Sequence, residues 1–176
     1  MQAYSAAVDI RQKLFEKDSN SLRNLVTLIA ATVRSSYGKT SKEAAIIASL
    51  VAKIQGVSIP KKDKEAEVKT VSQSERSFGS MTQNFSDVIK TLENYGTKYN
   101  PGNTDLTTVN LRNKLQSILE ANVVATSTYG QLKNGRNQRS DSYKLLKEKT
   151  QRIKDAVKGQ YGSQSTEYNL IRRLAA

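Results

Sequence analysis

The chain has 176 residues, 28 Lys and Arg against 16 Asp and Glu, a net charge of +12, and neither cysteine nor histidine. Those two absences exclude disulfides, thiolate zinc sites, cysteine nucleophiles and histidine general bases. A chain of this length buries a real core in one domain or two small helical units.

Taken in chain order, the apolar residues recur at helical spacing. Tyr4, Ala7, Val8, Leu14 and Phe15 predict a first helix near 3–17. Leu22, Leu25, Val26, Ile29, Val33 and Tyr37 predict a second near 20–37, with Gly38 as its left-handed stop. Ala44, Ile47, Leu50, Val51 and Ile54 predict a third near 41–55, capped by Ser41, with Glu43 in its first turn. The longest apolar runs, 25–33 and 44–52, are about half of the roughly 20 residues a membrane span requires, so they read as core-facing helices. The N-terminal Met1-Gln2-Ala3-Tyr4-Ser5 lacks the pattern of a signal peptide, and a cytoplasmic protein without a membrane span is expected.

From Gly56 to Ser77 the chain is polar and nearly charge-balanced, and Pro60 interrupts any helix; this segment reads as a linker. Beyond it, Phe78, Met81, Phe85, Val88, Leu92 and Tyr95 form a heptad-like seam ending at Gly96. Asn100-Pro101-Gly102-Asn103 is a turn, after which Asn103 or Thr104 is expected to cap a long helix. Its seam runs Leu111, Leu115, Ile118, Asn122, Ala125, Tyr129 and Leu132, and Asn134-Gly135 is expected to end it. A separate helix with Tyr143, Leu146, Thr150, Ile153, Val157 and Tyr161 follows, closed by Gly162, then a short last helix with Tyr168, Ile171 and Leu174. Short connections imply an antiparallel up-down bundle, all-α, of about six helices with a short C-terminal one. The expected division is an N-terminal three-helix unit (1–56), a polar linker (57–77) and a C-terminal helical bundle (78–176).

An internal repeat is also present. Val33 to Glu43 and Val157 to Glu167 both read Val, a basic residue, two others, Tyr, Gly, two others, Ser, one other, Glu. Leu22 aligns with Leu146 and Ile29 with Ile153. The pattern describes a helix–turn–helix corner, with the glycine as left-handed cap and the serine capping the next helix.

The 161–168 ending, Tyr-Gly-x-x-Ser-x-Glu-Tyr, the turn from Tyr99 to Leu106, the mid-helix Asn122 and the stretch from Leu132 through Arg139 to Tyr143 together resemble a large group of helical-bundle proteins found mainly in Bacteroidetes. The resemblance covers roughly residues 78–170 and implies an all-helical fold; the group has no established activity to carry over. Gly135 departs from the Ala-like residue of that pattern and argues against a helix continuous through it.

No glycine-rich phosphate loop or paired-carboxylate motif occurs, and Ser36-Tyr37-Gly38-Lys39 matches only one of the three motifs of the acyl-transfer enzymes it evokes. An enzyme, a cofactor and a small-molecule substrate are therefore not expected. Asn122, set in an apolar seam, needs a hydrogen-bond partner and reads as a register-fixing polar residue.

The charge is concentrated. Residues 133–158 hold nine Lys and Arg against Asp141, Glu148 and Asp155, half of the net charge in 26 residues. Lys144, Lys147, Lys154 and Lys158 share one helix face, with Lys133 beside them and Arg136 and Arg139 at the expected turn. This pattern predicts a polyanion site, nucleic acid (DNA, structured RNA or a ribosome) bound through phosphate contacts by Lys133, Arg136, Arg139, Lys144, Lys147, Lys154 and Lys158. The alternative is a scaffolding protein that associates with itself or a protein partner through its helix seams, its lysines serving solubility.

Overall fold

A computed structural model describes residues 2–56 and 77–173. They are helical wherever they are regular: α1 (Gln2–Gln12), α2 (Leu22–Tyr37), α3 (Lys42–Gln55), α4 (Phe78–Asn94), α5 (Thr108–Tyr161) and α6 (Thr166–Ile171). No strand occurs among the described residues. The linker expected at 57–77 lies, but for Ser77, outside them. By its contacts the chain forms two compact units, Met1–Ser127 and Thr128–Ala176, each described separately below. Residues from both sides of the expected linker share one core in the first unit.

In the first unit the periodic residues build that core. Leu22, Leu25, Val26, Ile29 and Val33 of α2 are buried with Ala44, Ile47, Val51 and Ile54 of α3. Met81, Phe85, Val88 and Leu92 of α4 and Leu111 and Ile118 of α5 complete it. Each fully buried aliphatic side chain stabilises the fold by about 1.5–3 kcal/mol, which offsets the conformational entropy of ordering the chain. The first predicted helix is regular only to Gln12. Residues Lys13–Lys17 widen into a π turn closed by the Asp18 N–H donating to the Lys13 carbonyl at 3.1 Å. Phe15 of that turn is buried edge-on against Phe78, ring centroids 4.8 Å apart at 71°.

Two pairs fix the course of α4 against the first part of α5. The Asn122 Nδ2 donates to Thr82 Oγ1 at 3.0 Å, and Arg112 pairs with Glu93 near the other end of α4. The two helices therefore run antiparallel, and Leu111 and Ile118 of the seam share the core with α4. Asn122 thus has the partner its setting demands, although its Oδ1 has none among the described residues.

The start of α5 differs from expectation. Asn103 does accept a backbone N–H, from Asp105 at 3.0 Å, but it opens only a short 3-10 turn over Thr104–Leu106. Thr107 stands before α5, its carbonyl accepting from the Leu111 N–H at 2.9 Å. Its end differs more. The break expected at Asn134-Gly135 does not exist: α5 continues for 54 residues, to Tyr161. A glycine inside a helix costs only about 1 kcal/mol relative to alanine, and no proline follows it. The flanking Leu132, Lys133, Gln138 and Arg139 are good helix formers, so the break is outweighed.

The repeated corner is present twice with matching geometry. Gly38 has φ +93° and Gly162 φ +90°. The N–H of Gly38 donates to the Arg34 carbonyl at 3.0 Å, and that of Gly162 to the Lys158 carbonyl at 2.9 Å. Ser41 Oγ accepts from the Ala44 N–H at 3.1 Å; Ser165 Oγ accepts from the Tyr168 N–H at 3.0 Å. Two stretches of the same residue pattern have folded to the same local structure.

Candidate interaction face of the long helix

Numbered in heptads, α5 keeps a single phase from end to end. Positions d and a alternate as Leu111, Leu115, Ile118, Asn122, Ala125, Tyr129, Leu132, then Arg136, Arg139, Tyr143, Leu146, Thr150, Ile153 and Val157. Because the helix is unbroken, Arg136 and Arg139 are not turn residues. They occupy the a and d positions between Leu132 and Tyr143, a placement the expected break concealed.

The two stretches of this seam differ in burial. In the first unit Leu111 and Ile118 are fully buried and Ala125 is 2% exposed. In the second, Tyr143 is 61% exposed, Leu146 51% and Ile153 60%, with Leu132, Thr150 and Val157 half-buried. The face that the sequence marks for the core is open to solvent there. The contrast holds also for the repeat: Ile29 is fully buried, its counterpart Ile153 is not.

Around this seam the charges are sorted. Lys133, Lys147 and Lys154 are e positions, flanking the seam on one side; Lys149 is a g position on the other. Lys144 and Lys158 are b positions next to the e stripe. Asp141, Glu148 and Asp155 recur every seven residues at f, on the side of the helix away from the seam. They are engaged locally: Asp141 with Lys144 at 3.5 Å, Glu148 with Arg152 at 3.8 Å, and Asp155 with the Gln151 amide at 3.0 Å. All these pairs are exposed and contribute little to stability. Of the seven residues expected to contact a polyanion, Lys154 is half-buried and the others are exposed. Five of them, Lys133, Lys144, Lys147, Lys154 and Lys158, lie in one stripe beside the apolar seam, while Arg136 and Arg139 lie within the seam.

The two corners differ in their surroundings as well. In the first, the Tyr37 ring lies 5.1 Å from the Tyr95 ring, and Lys98 Nζ stands 4.8 Å over it. Burial and the nearby Glu43 raise the Tyr37 and Tyr95 phenols above their ordinary range. Tyr161 in the second corner has no such neighbour among the described residues.

Other places offer less chemistry. A hollow of about 340 Å³ over Leu92, Glu93, Tyr99, Pro101 and Thr108 has one charged group, Glu93, already engaged by Arg112. Among the described residues no group of three Asp or Glu is placed to hold a metal ion, and no helix is long and apolar enough to cross a membrane.

No protein-family model matches the chain, and no curated protein and no solved structure is found similar to it.

Proposed function

We propose that the chain is a non-catalytic helical docking protein, cytoplasmic, whose C-terminal unit binds another protein along the exposed seam of α5. The observation that carries this reading is the burial contrast within one heptad phase, with Ile118 fully covered and Ile153 60% exposed. Exposed apolar side chains scattered singly are ordinary; a row of them at a/d spacing along several turns is the surface of a helix–helix interface. The same reading takes the first unit as an antiparallel up-down bundle, supported by the opposed run of α4 and α5. Site-specific photocross-linkers at Leu146 and Ile153 test it in cells. Protein cross-links from these positions, and none from the f positions Asp141 and Asp155, are expected; silence at the seam positions contradicts it.

A second reading, nucleic-acid docking, is favoured by the stripe of Lys133, Lys144, Lys147, Lys154 and Lys158, with Arg136 and Arg139 beside it in the seam. A stripe of cations along a helix suits phosphate contacts made without base readout. Its test is anisotropy with labelled duplex DNA and structured RNA at about 50 and 200 mM salt, an interval over which phosphate-driven affinity falls steeply. Binding that is steeply salt-dependent and lost when Lys144, Lys147, Lys154 and Lys158 are changed to Gln supports it. Binding unaffected by those changes excludes this face.

A further inference from the structure

Resting on the protein-docking reading, we propose that the occupant of the C-terminal seam is an acidic amphipathic helix of another protein, and not a second copy of this chain.

One part of the seam lies in the core of the first unit. In the first unit α4 lies antiparallel on α5. Leu111 and Ile118 at d share one buried core with apolar residues of α4, the a-position Asn122 donates to Thr82, and Glu93 pairs with Arg112. Arg112 is an e position, in the same heptad column as Lys133, Lys147 and Lys154. Arg112 holds the Glu93 carboxyl below its ordinary range, as an opposite charge at contact does. The chain thus contains one worked case of what this seam meets: a shared apolar core, and a carboxylate against the e-position cation.

The second unit repeats those requirements and adds to them. Its e positions hold three lysines, its g positions hold Lys149, and Arg136 and Arg139 sit in the a and d row itself. A helix laid on this face brings Lys133, Lys147, Lys149, Arg136 and Arg139 out of water, which is costly unless each meets an anion. The flanking pairs of coiled coils set partner choice in this way.

A second copy cannot supply the anions. Its residues at a, d, e and g over 128–157 include no Asp or Glu. Pairing in parallel sets g against e, and in antiparallel e against e and g against g. Such pairings leave each e- and g-position Lys opposite Lys, Ser, Thr, Gly or Ala. The acids of this helix stand at f, outside any two-helix contact. Like charges across a helix interface act as discrimination against the wrong partner, and here they discriminate against self-pairing. Nucleic acid satisfies the cations but not Leu146 and Ile153, which its phosphates leave exposed.

The test uses the full chain and synthetic peptides that carry the α4 sequence. The probe is a fluorescein-labelled peptide of residues 77–98 with Gly79→Glu and Ser86→Glu, which extend the Glu93 column by two heptads. The control peptide carries Lys at all three positions. Anisotropy is read at about 150 mM salt, with sedimentation velocity of the protein alone. The protein variants are Ile153→Glu and the pair Lys147→Glu with Lys154→Glu. Both alter exposed or half-exposed positions, and unchanged thermal melting verifies the fold. The proposal expects the acidic peptide to bind at least tenfold more tightly than the basic one. It expects Ile153→Glu to abolish binding, and the paired lysine reversal to invert the preference. Equal affinity for the two peptides, both lost on Ile153→Glu, overturns the acidic partner while the docking reading stands. Absence of peptide binding with a dimer that Ile153→Glu dissociates overturns it in favour of a second copy. Absence of peptide binding by a monomer that binds duplex DNA through the same lysines overturns both this proposal and the docking reading.

Discussion

The hydroxyl of Tyr37 donates to the backbone carbonyl of Tyr95 at 3.3 Å, and the hydroxyl of Tyr95 donates to the carbonyl of Glu43 at 3.0 Å. The two rings thereby lock the end of α4 onto the corner between α2 and α3. Tyr161 occupies the same place in the second corner and has no such lock. A net hydrogen bond is worth about 0.5–1.5 kcal/mol. Tyr95→Phe should therefore lower unfolding stability by about 1 kcal/mol in urea titration. Tyr161→Phe should leave it within about 0.5 kcal/mol. Equal costs would mean that both corners are held alike.

The repeat supplies a second matched pair. Ile29→Ala removes a fully buried side chain and should cost about 2–5 kcal/mol. Ile153→Ala, at the equivalent position on an exposed face, should be neutral or stabilise the helix by a few tenths of a kcal/mol, since alanine is the better helix former. Thermal melting of the two variants decides this directly.

Gly38 and Gly162 both have φ near +90°, a region that residues with a side chain rarely adopt. A Cβ at either position meets no atom within 4 Å, so the penalty is one of backbone conformation alone. Gly38→Ala should cost about 1–3 kcal/mol of global stability. Gly162→Ala should leave the melting temperature in place and abolish amide protection at Tyr168, whose N–H is held by Ser165.

Tyr99 gives the fold an alkaline limit. Its hydroxyl donates to the Leu106 carbonyl at 2.9 Å, and burial raises its phenol from an ordinary value near 10 to about 12. The neutral phenol is the form the fold favours. Its contribution is complete below about pH 10 and is lost as the pH rises through about 12. Tyr99→Phe should flatten the fall in stability over that window, as followed by denaturant midpoints between pH 9 and 12.

Much of the fold is legible in the sequence because its determinants are local. The spans of α2, α3 and α4 follow from apolar spacing, Ser41 and Ser165 cap as expected, and both corners announce themselves as Tyr-Gly-x-x-Ser. The π turn at Lys13–Lys17 and the 3-10 turn before Thr107 carry no periodic signal. Composition predicts a break at Gly135, yet the phase holds a contrary sign: the steps from Leu132 to Arg136, Arg139 and Tyr143 keep the 4-3-4 rhythm of one helix. The expected break hides the place of Arg136 and Arg139 in the seam. Which stretch of the seam is covered depends on what the rest of the chain brings to it, here Thr82 and Glu93 of α4, and no spacing within α5 carries that information.

Hydrogen–deuterium exchange along α5, in dilute protein, tests the central claim most directly. Amides of a covered helix exchange only by large-scale opening, whereas a helix with little tertiary packing opens locally at low cost. Strong protection is expected from Leu115 to Asn122, and exchange about a hundredfold faster or more from Tyr143 to Val157. Equal protection in the two stretches would contradict it, because the C-terminal seam would then already be covered.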